Sequence, residues 1–171
     1  MMPKFWIING LLFQAAWWSC ALLTDLALGV LCGLIILHFV LSTSPKNDLK
    51  MISLSVIGWV TDTLLLHFNV LQTTEQLFPF WLMLLWVMFI LCLNHSLAWL
   101  KHRPVYWSVI LGAIAGPLSY LAAIEFGALT SELQPARLAV LFACIWAVLL
   151  PILTKAGAIL TAQPTAEVVY E

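Results

Sequence analysis

Charge is what this chain has little of. Seven Lys and Arg and eight Asp and Glu are spread over 171 residues, 9% of the chain, against 63% hydrophobic residues. Soluble domains carry about 25% charged residues, so too little polar surface remains here to cover a water-soluble fold. No basic run exists to follow a phosphate backbone, and no nucleic-acid partner is expected. Cys20, Cys32, Cys92 and Cys144 lie in or at the edge of apolar stretches. They form no C-x-x-C or other metal spacing and read as small hydrophobes. The histidine boxes of di-iron desaturases, H-E-x-x-H, G-x-S-x-G and the phosphate-binding loop are all missing, and so is a run of gating arginines. No metal is expected. The cofactor question stays open, since His38 and His95 are of a type that ligates haem but follow no ligand spacing.

Long apolar runs are what the chain does have. A helix crossing a bilayer needs about 20 mostly apolar residues. Six stretches qualify, near residues 5–23, 26–41, 51–71, 79–100, 105–126 and 138–160. The expectation is an all-α integral membrane bundle of six transmembrane helices, one domain over residues 1–162 with a polar tail over 163–171. The first run, with Asn9 and Gln14 inside it and no small-residue cleavage site, reads as a retained helix rather than a signal peptide. The breaks are polar: Ser42 to Asp48, Gln72 to Gln76, Lys101 to Pro104, and Thr130 to Pro135. If six helices alternate, Lys4, Lys46, Lys50, Lys101, Arg103 and Lys155 share one side and Arg137 alone lies opposite. Positive charge collects on the cytoplasmic side, which places both termini there.

The fifth run carries small residues at helical spacing: Ser108, Gly112, Ala115, Gly116, Ser119 and Ala123. In lipid such a stripe lets backbones approach closely, so Gly112, Gly116 and Ser119 read as packing positions on a central helix and as a face that could join two copies. Pro117 removes one amide and frees the carbonyl of Ala113.

Ionisable groups inside a membrane are costly and carry a functional hypothesis by default. Asp62 falls about 16 Å into the third run at helical rise, near the midplane. Gln14 lies at similar depth in the first and Tyr120 just past Pro117. Asn94, His95 and Ser96 interrupt the fourth run, with His38 at comparable depth in the second. Three consecutive helical residues fan across about 200° and cannot all face one partner. Asp62, Gln14, His95, Asn94, Tyr120 and His38 form the candidate polar pocket. Separately satisfied contacts between helices remain the plainer alternative. His67 and Glu125 rank lower, being near the opposite face.

These residues carry a resemblance. The ordered series is Asn9 with Phe13-Gln14, then Gly58 with Asp62. It continues through Pro79-Phe80-Trp81, Leu85-Trp86, Phe89 and Asn94-His95-Ser96-Leu97 to Trp99-Leu100. It closes with Gly112-Ala113, Gly116-Pro117-Leu118-Ser119-Tyr120 and Gly127-Ala128. Over nearly its whole length the chain resembles the bacterial domain-of-unknown-function family 2878. The resemblance implies a small multi-pass protein of the bacterial inner membrane, with no established activity and no catalytic residues to carry over. Members often lie beside genes for lipid modification, including cyclopropane-type fatty-acid enzymes, which tilts the expected role toward membrane lipids. The expected function is binding or modifying an acyl or other apolar substrate, with membrane lipids as partners; whether the chain is an enzyme is left open. The alternatives are a small-solute or proton-coupled transporter with Asp62 as coupling site, and a non-catalytic assembly subunit.

Overall fold

In the computed structural model, which describes residues 5–73 and 79–162 without the side chains of 24 and 25, the chain is helical throughout. The helices are α1 (Phe5–Leu22), α2 (Thr24–Leu41), α3 (Pro45–Ile52), α4 (Ser55–His67), α5 (Phe80–Asn94), α6 (Val105–Glu125) and α7 (Pro135–Thr161), with a 3₁₀ turn at Ala98–His102 between α5 and α6. Among the described residues there is no strand, only a single bridge joining Gln72 to Thr130. Lys4, part of the loop over residues 74–76 and the tail from residue 163 lie outside the described residues.

Among the described residues, four segments are long and apolar enough to cross a membrane: Phe5–Leu22, Pro45–His67, Val105–Glu125 and Pro135–Thr161. Leu26–Leu41 and Phe80–Asn94 are apolar but shorter. The six segments follow the six expected runs, with three differences that bear on the site.

The stretch from Ser42 to Asp48, expected as a loop, already contains the start of α3 at Pro45. Proline is pre-set for a first helical position, where its missing amide costs nothing. Lys46 and Lys50 point outward, whereas Asp48 and Met51, three residues apart, are buried. The third apolar run is therefore a helix pair, α3 then α4, broken at Ser53 and Leu54.

The fourth run was expected as one helix to residue 100, and it ends at Asn94. At His95 the backbone leaves the helix (φ −127°, ψ −84°). Leu97 N–H then closes back onto Cys92 O at 2.7 Å, and the 3₁₀ turn follows. This break lets Asn94, His95 and Ser96 aim at partners that a regular helix would keep apart.

The central helix is α5, not α6. It is apolar all round and buries Trp81, Trp86, Met88, Ile90, Leu91 and Leu93 against α1, α2, α3, α4 and α7. α6 instead pairs along α7. A Cβ at Gly112 would overlap the backbone of Trp146 in α7, and one at Gly116 would overlap its ring. Gly112 and Gly116, read as packing positions, thus pack against α7 of the same chain. Pro117 lies inside α6 without ending it.

α4 and α6 both end in a left-handed residue, Asn69 (φ 56°) and Gly127 (φ 82°). Each allows the following amide to reach back to a carbonyl of the last turn, Val70 N–H to Leu65 O and Ala128 N–H to Ala123 O, both at 2.9 Å. The two returning segments are then tied by paired Gln72–Thr130 backbone bonds at 2.8 and 2.9 Å.

Candidate functional site

The candidate residues do not form one pocket. The structure sorts them into two buried polar centres and one apolar groove.

The first centre is built on Asp48, fully buried in α3. Its carboxylate accepts from four side chains. Oδ1 takes His95 Nε2 and Asn94 Nδ2, both at 2.7 Å, while Oδ2 takes His38 Nε2 at 3.1 Å and the hydroxyl of Ser42. Behind this layer, Asn9 of α1 faces His38 Nδ1 through Nδ2 at 3.3 Å. Its Oδ1 accepts both the amide and the hydroxyl of Ser96, at 3.2 and 2.7 Å. Lys101 donates to Asn94 Oδ1 at 3.0 Å and Thr161 Oγ1 at 3.3 Å. Phe5 closes the centre, its ring edge-on to His95 with centroids 4.7 Å apart. One carboxylate thereby joins α1, α2, α3, the break after α5 and, through Lys101, the end of α7.

The second centre is Asp62, also fully buried. Tyr120 donates to Oδ1 at 2.6 Å and Trp86 Nε1 donates to Oδ2 at 2.5 Å. Trp86 crosses α4 at Gly58, where a Cβ would overlap its ring. It stacks on Trp146 (5.4 Å, 6° between planes), and Tyr120 stacks on Phe142 (4.1 Å, 13°). Asp62 therefore fixes the two polar edges of an aromatic wall.

That wall faces a groove of about 700 Å³ between α1 and α6, floored by α5 and α7. Its lining is mostly aromatic and aliphatic, with Phe13, Trp86, Phe89 and Trp146 prominent and Gln14, Ser96, Ser119 and Tyr120 as its polar members. Gln14, expected beside Asp62, is exposed and lines this groove instead. The end away from Asp48 is closed by Trp17 Nε1 donating to Ser119 Oγ at 2.8 Å, with Phe126 against Trp17 and Trp18. On α1 the lining runs from Gly10 to Ala21, about 16 Å at helical rise.

By residue type and distance, His38, Asp48 and His95 would suit a divalent cation, their ligand atoms lying within 4.8 Å of one another. The hydrogen bonds fit protons there better. The Ser96 amide can only donate, so it fixes Asn9 Oδ1 on its own side and turns the Asn9 NH₂ toward His38. His38 Nδ1 must then accept, which leaves its proton on Nε2, pointing at Asp48. A metal on Nε2 would move that proton to Nδ1 and set it against the Asn9 NH₂. In this reading the centre is a proton-filled clasp.

Asp48 and Asn9 were not among the expected site residues. The signal for Asp48 was its place in Pro45-Lys46-Asn47-Asp48, one acid three residues after a helix-starting proline. His67 and Glu125 are exposed near the other end.

A family model, a protein of unknown function designated DUF2878, matches residues 6–152. The chain belongs to that family. Neither curated proteins nor solved structures give a match. The series that carries the family resemblance includes part of each centre, Asn9, Asn94, His95 and Ser96 of the first and Gly58, Asp62, Trp86 and Tyr120 of the second, but not Asp48, His38 or Ser42.

Proposed function

We propose that this family member is a six-span protein of the bacterial inner membrane, with both termini in the cytoplasm, that holds the acyl chain of a membrane lipid in the groove between α1 and α6. The observation that carries the reading is the groove itself. Its volume falls within the range of small-ligand pockets, about 300–1,000 Å³. Its length of about 16 Å matches half of a hydrocarbon core about 30 Å thick. Its few polar groups suit a mostly apolar guest with a single polar end. Aromatic side chains give such a wall large contact area, and Asp62 keeps the rings of Trp86 and Tyr120 in place.

Asp62 would be the coupling residue of a transporter, yet it lies behind Trp86 and Tyr120 with both oxygens engaged. That favours lipid binding over solute transport. Asp62 is a positioning residue in this reading, and the groove residues make the contact.

The test is Ala115→Trp. Ala115 lines the groove from an exposed position on α6, so a large ring there fills the space without entering the core. Native mass spectrometry of gently purified parent protein is expected to show a co-purifying acyl lipid that Ala115→Trp lacks at unchanged thermal stability. Equal lipid on both proteins would end this reading.

A further inference from the structure

A second concavity, of about 330 Å³, lies where the 3₁₀ turn meets the start of α6 and the last third of α7. It shares no lining residue with the groove. Its charged lining is Lys101, Arg103 and Lys155, with no carboxylate among the lining residues. Three cations from two separate elements thus face one small space. Among the described residues, none of the three forms an ion pair with an acid. Lys101 spends two donors on Asn94 and Thr161 and keeps a third. Arg103 and Lys155 are exposed. The hydroxyls of Ser108 and Thr154 form the inner wall, 3.3 Å apart, with Thr154 also donating to Pro151 O. They are already paired, so an anion here would be held mainly by the cations.

Burial holds the Lys101 ammonium below the ordinary lysine pKa, and the nearby Asp48 charge opposes that shift. An anion in the cleft would add to the Asp48 effect.

Two features point to an anion with an apolar tail. Val105, Ala158 and Ile159 border the same space, and Ile159 is 76% exposed. Tyr106 and Trp107, packed with ring centroids 5.6 Å apart, stand exposed next to the cleft. Aromatic residues of this kind gather at the level of lipid headgroups, and basic pockets between membrane helices receive anionic headgroups.

We propose that the cleft lined by Lys101, Arg103 and Lys155 binds the phosphate of an anionic membrane phospholipid. The charge of the phosphate supplies the attraction and the apolar border supplies the place for its chains. This site is independent of the groove. Ala115→Trp leaves it intact, so either assignment can fail without the other.

The experiment uses the full chain in phosphatidylcholine vesicles with and without phosphatidylglycerol, reading bound lipid by native mass spectrometry and stability by thermal unfolding. Two double variants are compared, Arg103→Gln with Lys155→Gln, and Lys46→Gln with Lys50→Gln. All four positions are exposed, and the second pair lies outside the cleft. Phosphatidylglycerol is expected to bind in preference to phosphatidylcholine. The first variant should weaken it about 30-fold, the effect of removing two cations near an anionic surface, while the second leaves it unchanged. Equal loss in both variants would mean diffuse surface charge and overturn the site, as would no preference for phosphatidylglycerol. Inorganic phosphate is the third arm. If it protects the parent as strongly as the lipid does, the ligand is a free anion and the lipid assignment falls.

Discussion

Asp48→Asn separates a clasp from an incidental buried acid. The substitution keeps the shape and replaces one acceptor oxygen by an NH₂. Each Asp48 oxygen serves one histidine and one neutral donor: Oδ1 serves His95 and Asn94, Oδ2 serves His38 and Ser42. With the NH₂ on the Oδ1 side, His95 and Asn94 lose their acceptor; with it on the Oδ2 side, the Ser42 hydroxyl can turn and accept, but the buried His38 Nε2–H faces an amide that cannot. The second orientation costs less: one orphaned buried donor, about 1–3 kcal/mol, and lost charge assistance in the other bonds, about 1 kcal/mol, together about 3 kcal/mol. That is a large share of a typical stability of about 5–15 kcal/mol. For a chain of this length each kcal/mol moves Tm by about 2–4 °C, giving a fall of about 9 °C. Asp62→Asn should behave differently. The Tyr120 hydroxyl can turn and accept from the new NH₂, while Trp86 keeps the remaining oxygen. Only charge assistance is lost, about 1 kcal/mol and about 3 °C. The assay is maleimide-dye labelling during heating, in a Cys32→Ser, Cys144→Ser background that removes the exposed thiols. Cys20 and Cys92, both buried, then report unfolding. A parent-like Tm for Asp48→Asn, or a larger fall for Asp62→Asn, would refute the reasoning.

Gly58→Ala places a methyl into the Trp86 ring and is expected to cost about 1–3 kcal/mol by overpacking. Gly33→Ala, where nothing lies within 4 Å, should not destabilise the protein, and the two are compared by the same labelling assay. Elemental analysis of the purified protein should find no stoichiometric transition metal; one ion per chain that is lost in His38→Ala would overturn the proton assignment at Asp48. For orientation, a fluorescent protein fused after Thr161 should light up in cells while alkaline phosphatase at the same place stays inactive. The reverse pattern would invert the topology.

Much of this protein is legible along the chain because the relevant physics is local. A run of apolar residues long enough to cross hydrocarbon announces itself by length and composition, and each of the six runs is mainly helical, although the third is split into α3 and α4 and the fourth stops at Asn94. Asp62, Asn94, His95, His38 and Tyr120 stand out because a polar group in an apolar run must find a partner. Which partner it finds is not local. Asn94 and His95 meet Asp48 only because α5 breaks at His95 and α3 begins early at Pro45. Neither event leaves a periodic trace, and the break is held by contacts from residues up to 87 positions away. Gly112 and Gly116 announce close packing, but a small-residue stripe does not name its partner, and the fold puts Trp146 there. The apolar runs were set locally, as was the cost of each polar group within them; where two of those runs break was not. Tertiary structure decided that those groups close into two separate centres, and that an apolar groove and a basic cleft remain, because both outcomes depend on which helix faces which.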